Sequence, residues 1–549
     1  MKIVIADDLP RSAVALLSAQ AGWNVDATAG RPLPDLLAAL ADADALIVRS
    51  ATKVTRQMIE AAPALRVIAR AGTGVDNVDL EAASARGIIV MNAPGANSIS
   101  VAELAMGQML ALARHLPAAD AAMKAHKWEK KKFAGVELRG KTLGLIGLGR
   151  IGQEVASRAR AFEMQIVAHD PFISAELAEH LGARLLTLDE VFAAADFLSL
   201  HVPVTPQTRH LVNAERLAAA KKGIRIVNTA RGELIDDAAL AAALDSGQVG
   251  GAALDVFVQE PPADWSLSDR PAVVASPHIA ASTAEAQELV GVETAAAVRD
   301  YLREGVIRNA VNFPSLSADD FRRLQPWILL AERLGALVAQ MGEARTTGVG
   351  VRYYGELAEG RSDMLASAVL VGLFNQILSG GVTAVNAKAV AAERGIEVIE
   401  SRSSRVRNFT SLLSVKLHTS AGERWVEGTI FEHGGPRLVL VDGVPVEAPL
   451  SGTQIVIKND DQPGVIGAVG TVLGHHGVNI ANFALGRGPE GALGVVSVDD
   501  SEQLTGPVLA QLRAIPAVRS AEVVRLAGRG GTLHGLREHK ELARDGGSQ

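Results

Sequence analysis

Three residues of this chain have the types and placement to run a hydride transfer. Arg231 stands in NTARGELID, Glu260 in ALDVFVQEPP and His278 in SPHIAAS, each after a run of aliphatic, strand-forming residues. Oxidising the C2 carbon of a 2-hydroxy acid needs a base for the hydroxyl proton, a carboxylate to orient that base, and a fixed cation for the acid's own carboxylate. His278, Glu260 and Arg231 supply these in turn. A guanidinium suits the last role because it is planar, always charged and able to fork onto a carboxylate while stabilising charge on the reacting oxygen. Taken singly, each has an ordinary alternative: a surface ion pair for Arg231, an exposed acid for Glu260, a hydrogen-bonded loop histidine for His278. Their joint position in loops after strands of one domain, where open parallel sheets bind ligands, favours chemistry.

A hydride acceptor is indicated upstream. Gly147, Gly149 and Gly152 form GLGRIG between the strand-like TLGLI and a helical pattern, the context a dinucleotide pyrophosphate requires. The first glycine allows a tight turn, the second lets backbone N–H groups approach the phosphates, and the third lets helix and strand pack closely. A second strand, QIVAH, ends at Asp170, placed to accept the adenosine ribose hydroxyls. A carboxylate there repels a 2′-phosphate, and the following Pro171 and Phe172 offer no arginine, so NAD is expected rather than NADP. Without the glycine loop, Asp170 would read as a turn or cap residue.

The elements that position these groups follow from periodicity. KIVIA, ALIVRS and VIARAG, separated by helical patterns, form a βαβ series at the start of the chain, with a helix near Arg11 to Ala21. A long amphipathic helix is expected from about Val101 to Leu116, before the basic stretch KWEKKK at Lys127 to Lys132. From Thr142 the strand signals TLGLI, QIVAH, FLSLH, IRIVN, GAALDV and AVVAS recur between Ala-rich helical segments, the rhythm of a doubly wound parallel sheet. A helix from Ser282 to about Tyr301 and the connector NAVNFPSL suggest a return to the first domain. After Ser315 come helices to about Glu343, a strand near Thr346, and β-rich runs such as LLSVKLHT and PRLVLVDG. The order from Thr453 to Leu526 is β-α-β-β-α-β, ferredoxin-like, and the charged, glycine-containing residues 527–549 read as a flexible tail.

Composition agrees with this α/β reading. The 549 residues are 48% hydrophobic and 21% charged, with aromatics at only 4%, which suits aliphatic strands under Ala-rich helices and several folding units. A net charge of −7 spread over both signs implies no polyelectrolyte face for nucleic acid or anionic lipid. The absence of cysteine excludes disulfides, thiolate metal sites and cysteine nucleophiles, and no other metal-ligand pattern is read. No export signal follows Met1, and the longest apolar run, Met364 to Phe374, is too short to span a bilayer, so no membrane partner and a cytoplasmic location are expected.

The chain resembles the D-2-hydroxyacid dehydrogenase family, whose GLGRIG, NTARG, DVF..EP and PH blocks all occur in order. The likeness extends through VRSATKVT at Val48, RAGTGVDNVDL at Arg70, NAPGANSISVAEL at Asn92, KWEKKKF at Lys127 and PHIAASTAEAQ at Pro277, to the long branch that acts on a phosphorylated acid. It implies catalytic roles for Arg231, Glu260 and His278. It also implies cofactor contacts from Thr73, Arg150, Ile151, Asp170, Thr205, Thr229, Ala230, Asp255 and Ala281, with Arg231 and His278, besides the glycines of the loop. Arg49, Arg70 and Asn97 are implied substrate contacts, the two arginines suiting a phosphate. Lys130 to Lys132 either add to that field from a neighbouring subunit or form a solvated basic turn. One departure is Ala280, where this branch often has glycine.

NDDQPGVIGAVGTVLGHHGVNIAN from Asn459 resembles the amino-acid-binding ACT module, which places Asp461 and Asn479 as candidates to hold an L-serine effector, or else a dimerising module without a ligand. VNAKAVAAERGI at Val385 and GTIFEHGGPRLVLVDG at Gly428 resemble the intervening domain of the long branch. The resemblance therefore implies four parts: a discontinuous flavodoxin-like substrate domain at 1–96 and 283–313, a Rossmann-type NAD domain at 97–282, an α+β intervening domain at 316–450 and an ACT domain at 453–526. It implies NAD-dependent oxidation of 3-phospho-D-glycerate to 3-phosphooxypyruvate, restrained by L-serine, in a homotetramer. Open alternatives are a sibling enzyme acting on glycerate, hydroxypyruvate, glyoxylate or 2-hydroxyglutarate, and an NAD-sensing scaffold or corepressor.

Overall fold

Aliphatic runs too short and too apolar to be amphipathic helices become the buried strands of two parallel sheets. In the computed structural model, which describes residues 1–526 apart from 316–317, 342–344, 360–361, 379–381, 406, 432–434, 500–503 and 505, the first sheet has five strands. Their order is Asn24–Asp26, Lys2–Ile5, Ala45–Val48, Val67–Arg70, Ile89–Met91, all parallel. This is the expected flavodoxin-like order, and Ala45–Val48 at its centre buries every residue. Helix Ala284–Glu304 packs Ala295, Val298 and Leu302 into the same core as Ile3, Ile47 and Ala69. The chain then runs beside Ile89–Met91: Val311 N donates to Val90 O at 2.8 Å, and Asn312 Oδ1 accepts from Val90 N at 2.9 Å. The Asn of the connector thus satisfies a sheet edge that would otherwise be bare.

The second sheet has seven parallel strands ordered Val273–Ala275, Val249–Leu254, Ile224–Asn228, Phe197–Leu200, Thr142–Ile146, Gln165–His169, Ala183–Leu185. Strand order reverses between Phe197–Leu200 and Thr142–Ile146, and the crevice beyond their carboxyl ends is where such sheets take ligands. Six of these strands are the ones the sequence signals; the seventh, Ala183–Leu185, is three residues with an arginine at its centre, too short to show a period. The long helix is Ser98–Arg114, three residues earlier than its pattern suggests, and it ends where His115 turns left-handed at φ 54° before a second helix, Leu116–Lys124. Its Ala102, Ala105 and Met109 pack with Val155, Ala156 and Ala159 of the helix that opens on the glycine loop, which ties that loop to a rigid base.

Beyond residue 315 the sheets are mixed or antiparallel. One has six strands, ordered Glu397–Ser403, Thr346–Gly355, Ser411–Thr419, Gly422–Phe431, Gly435–Val441, Val444–Pro449, antiparallel except for the parallel first pair. Helices Ala318–Gln340 and Asp363–Ile377 accompany it, and the apolar run of the second is buried, with Leu365, Val369, Leu370 and Leu373 fully inaccessible. Among the described residues no helix is long and apolar enough to cross a membrane. The last unit is β-α-β-β-α-β, with its strands ordered Ile480–Gly488, Gly491–Val498, Thr453–Asn459, Val518–Arg525, antiparallel throughout. The tail expected at 527–549 lies outside the described residues.

Candidate active site

Loops at the carboxyl ends of three adjacent strands bring Arg231, Glu260 and His278 together. Ile224–Asn228 ends in Asn228, which is 1% exposed. Its Oδ1 accepts from Ala230 N at 3.0 Å and its Nδ2 donates to Arg231 O at 2.8 Å, so this amide shapes the turn that presents Arg231. Next along the sheet, the loop after Val249–Leu254 crosses directly over Gly232, where a Cβ would stand 2.2 Å from the carbonyl carbon of Phe257. Only glycine lets the two loops meet. Phe257 N donates to Glu260 Oε1 at 3.1 Å, which leaves Glu260 Oε2 to lie 2.6 Å from His278 Nδ1. The carboxylate favours the tautomer with hydrogen on Nδ1, so Nε2 carries the lone pair that a base requires.

His278 itself sits at φ 51°, a left-handed conformation that a side chain adopts only when held. What holds it is Asp255, fully buried directly after the neighbouring strand Val249–Leu254. Its Oδ1 accepts from Ile279 N at 2.9 Å and from the Ser276 hydroxyl at 2.6 Å; its Oδ2 accepts from Ala280 N at 2.9 Å; and its carbonyl accepts from His278 N at 2.8 Å. Ala280 is 4% exposed, and its carbonyl accepts from Ser100 Oγ at 2.8 Å, so alanine at this position is fully accommodated. The resemblance implies a cofactor contact for Asp255; its carboxylate also holds the backbone around His278. Sequence reasoning missed Asn228 and Gly232, although both lie within the NTARG block that pointed to Arg231.

The glycine loop is built for an anion. Gly147 has φ 93°, and a Cβ on it would meet His201 O at 2.6 Å; one on Gly152 would meet Gly147 O at 2.2 Å; one on Gly149 would meet nothing within 4 Å. The first and third glycines are therefore required by the chain's own packing, while the second leaves open space beside the N-terminus of helix Arg150–Ala161. Asp170 braces the loop, accepting from Leu148 N at 2.8 Å through Oδ2 and from Phe172 N at 2.9 Å through Oδ1. Thr229 Oγ1 is buried and finds no hydrogen-bond partner among the described residues. An unsatisfied hydroxyl at the carboxyl end of the same sheet that carries the glycine loop fits a polar cofactor. Ile151 is partly buried against the helix core. Thr205 engages Thr208, its N donating to Thr208 Oγ1 at 2.7 Å, and Ala281 O accepts from Gln287 Nε2 at 2.6 Å.

The opposite wall of the cleft comes from the first sheet. Thr73 Oγ1 donates to Asn97 Oδ1 at 2.9 Å, and Arg150 reaches across to Pro94 O. Arg231 also crosses: its Nε and Nη2 donate to Asp76 Oδ2 at 3.1 and 3.0 Å. Gly74 makes room for this and Gly72 for Arg70, since a Cβ on Gly74 would stand 2.0 Å from Arg231 Nη2 and one on Gly72 would stand 2.1 Å from Arg70 Nη1. Arg70 follows its strand into the cleft, and its Nε is buried without a partner among the described residues. Burial first, then the neighbouring Arg231 and Arg49, hold its guanidinium below the usual arginine range, only partly offset by Asp76 and Asp7. Arg49 donates to Gln287 Oε1 and to Asp8 O, with its backbone N fixed by Asp7 Oδ2 at 2.6 Å. The cleft thus gathers three guanidiniums beside two carboxylates, a lining suited to an anion. Asp76 was not singled out by sequence, though it lies inside RAGTGVDNVDL with Arg70.

The two effector candidates are not brought into one cavity by a single chain. Asp461 lines a cavity of about 420 Å³ with Asn459, Phe483 and Arg487, and it pairs with Arg487 at 3.0 Å. Asn479 donates to Asp499 Oδ2 at 2.7 Å and is not among the residues lining that cavity. No group of three or more His, Asp or Glu placed to hold a metal ion occurs among the described residues.

Comparison with known proteins matches this geometry to a family. The sequence model for the NAD binding domain of D-isomer specific 2-hydroxyacid dehydrogenases matches residues 106–280, that for the D-3-phosphoglycerate dehydrogenase intervening domain matches 323–442, and that for the ACT domain matches 453–517. The D-3-phosphoglycerate dehydrogenase of Methanocaldococcus jannaschii is 42% identical over 527 residues, covering 96% of this chain and 100% of the relative. Those of Synechocystis and Mycobacterium tuberculosis are 40% and 41% identical over 96% of this chain, and over 95% and 99% of their own lengths. Among solved structures, a D-lactate dehydrogenase from Aquifex aeolicus complexed with NAD and lactic acid is 29% identical with a TM-score of 0.51, over 57% of this chain and all of that one. A glyoxylate reductase from Paecilomyes thermophila is 32% identical with a TM-score of 0.52, over 57% of this chain and 98% of that one.

Proposed function

Because this chain belongs to the D-3-phosphoglycerate dehydrogenases, a branch of the D-isomer specific 2-hydroxyacid dehydrogenases, we propose that it oxidises 3-phospho-D-glycerate to 3-phosphooxypyruvate with NAD. The observation that carries the phosphorylated substrate is the crowding of Arg49, Arg70 and Arg231, with Arg70 Nε unpartnered in a buried position. A carboxylate alone would leave that repulsion partly unanswered; a carboxylate and a phosphate together answer it.

In the reaction, NAD when bound supplies the hydride acceptor. Arg231 grips the substrate carboxylate and stabilises the negative charge that builds on the C2 oxygen as its proton leaves, before the carbonyl forms. His278 Nε2 takes the hydroxyl proton, and Glu260, itself anchored by Phe257 N, stabilises the imidazolium that results. Asp255 keeps the His278 backbone in place. Arg49 and Arg70, with Asn97, hold the phosphate end. Gly147, Gly149 and Gly152 would face the pyrophosphate of NAD and Asp170 its adenosine ribose, with Thr73, Arg150, Ile151, Thr205, Thr229, Ala230, Arg231, Asp255, His278 and Ala281 as its further contacts.

L-serine as effector at the ACT unit, a homotetramer and a cytoplasmic location complete the reading. Assembly is supported by helix Leu116–Lys124, which buries none of its residues and exposes Leu116 and Met123, followed by Trp128 at 80% exposure. Asp461 at the rim of its cavity and Asn479 outside it would require a second chain to complete one effector site. The test is NADH oxidation with phosphohydroxypyruvate against hydroxypyruvate, with and without L-serine. Preference for the phosphorylated substrate is expected; equal rates on both would defeat the assignment.

A further inference from the structure

Asp76 occupies the part of Arg231 that the proposed reaction needs. A guanidinium binds a carboxylate most strongly through its fork of two parallel N–H groups. On Arg231, Nη1 is already used internally, donating to Ala230 O at 2.7 Å. The remaining edge, Nε and Nη2, points across the cleft and is taken by Asp76 Oδ2 at 3.1 and 3.0 Å. The partner is thus a carboxylate from the other wall of the cleft, placed on the edge a substrate carboxylate would use.

We propose that Asp76 is the resting occupant of the Arg231 fork, displaced by the carboxylate of the incoming substrate, so that Asp76 sets how tightly the acid is held. This rests on the reading that Arg231 binds the substrate carboxylate. Three features make displacement feasible. The Asp76 side chain is 77% exposed, so it moves into water at little cost, and an exposed pair of this kind is weak. Arg231 does not depend on Asp76 for its place, because Ala230 O holds Nη1 and Asn228 Nδ2 holds its carbonyl. Gly74 leaves no Cβ between the two walls, so the exchange meets no steric gate from that residue. The substrate carboxylate replaces Asp76 on the same two N–H groups, and the count of charge-assisted bonds to Arg231 is unchanged. Asp76 also offsets the repulsion that Arg231 exerts on Arg70 while the cleft is empty of substrate.

The experiment compares wild type with Asp76→Asn in the full chain, reading KM for phosphohydroxypyruvate and the inhibition constant of glycerol 3-phosphate, which carries the phosphate but no carboxylate. The variant is expected to lower KM by about two- to fivefold, the range an exposed ion pair can hold back, while the inhibition constant shifts less. An unchanged or raised KM overturns the proposal, since a merely structural Asp76 would weaken binding when lost. An equal tightening of both ligands also overturns it, because that is the signature of a general change in field. Arg231→Ala separates the two levels of inference: if its KM and kcat match wild type, the carboxylate role of Arg231 fails first, whatever Asp76 does.

Discussion

Glu260 Oε2 and His278 Nδ1 are 2.6 Å apart across 18 residues of chain, and Glu260 Oε1 is simultaneously fixed by Phe257 N. One carboxylate therefore couples the loop carrying the base to the loop that crosses Gly232. Replacing His278 with Ala should lower kcat by about 10²- to 10⁴-fold, the usual worth of a general base, while NADH binding followed by fluorescence persists. Glu260→Gln keeps the shape but not the charge and should cost at least about tenfold in kcat. Turnover equal to wild type in the His278 variant would remove the mechanism.

Arg70 should be the residue that tells the phosphorylated acid from its plain counterpart. Arg70→Ala is expected to raise KM for phosphohydroxypyruvate by roughly ten- to hundredfold, as for a lost charge-assisted bond, and to change hydroxypyruvate far less. The measurement is the ratio of kcat/KM on the two substrates before and after substitution.

Gly232 offers a test of loop packing. A Cβ there would lie 2.2 Å from a backbone carbon of Phe257 and 2.3 Å from Val258 N, so Gly232→Ala must push the Arg231 turn away from the Glu260 loop. A loss of about 1–3 kcal/mol in stability is expected for such overpacking, read as a shift in the urea midpoint, together with a fall in kcat.

His201, at the end of strand Phe197–Leu200 beneath the glycine loop, is held down at about 4 by burial. Its Nε2 lies 2.9 Å from Ser199 Oγ, and its Nδ1 has no partner among the described residues. A depressed value means that the folded chain binds this proton less readily than the unfolded one. Stability from the neutral ring is complete above about pH 6.5 and is lost as pH falls towards 4, by at most about 3 kcal/mol. Urea midpoints at pH 7.5, 5.5 and 4.5 should therefore fall less steeply in His201→Gln than in wild type. Parallel slopes would count against a buried neutral ring.

Much of this molecule is legible in its one-dimensional pattern because the pattern is local. A run such as ALIV or TLGLI followed by turn residues reads as a buried strand by its length and β-branched content, and GLGRIG between strand and helix states its own geometry, since φ at Gly147 and clearance at Gly152 concern residues a few positions apart. Residue type together with position in loops after strands of one domain marked Arg231, Glu260 and His278, because few side chains can serve as cation, orienting acid and base. The weak signals were also local failures: Ala183–Leu185 was too short to show a period, and the stop at His115 depends on a left-handed turn that a histidine does not announce.

What only the tertiary structure decided is which polar groups are already occupied. Nothing along the chain shows that the oxygens of Asp255 hold the backbone around His278, or that Arg231 crosses 155 residues of sequence to meet Asp76. Asp461 and Asn479 lie in one motif yet take different partners, Arg487 and Asp499. Hydrogen bonds and ion pairs depend on distance and direction in space, which sheet order and loop crossing set, whereas hydrophobic period and glycine spacing are written along the chain. The sequence by itself therefore determined the fold class and the chemistry on offer; the fold decided which groups are free to perform it.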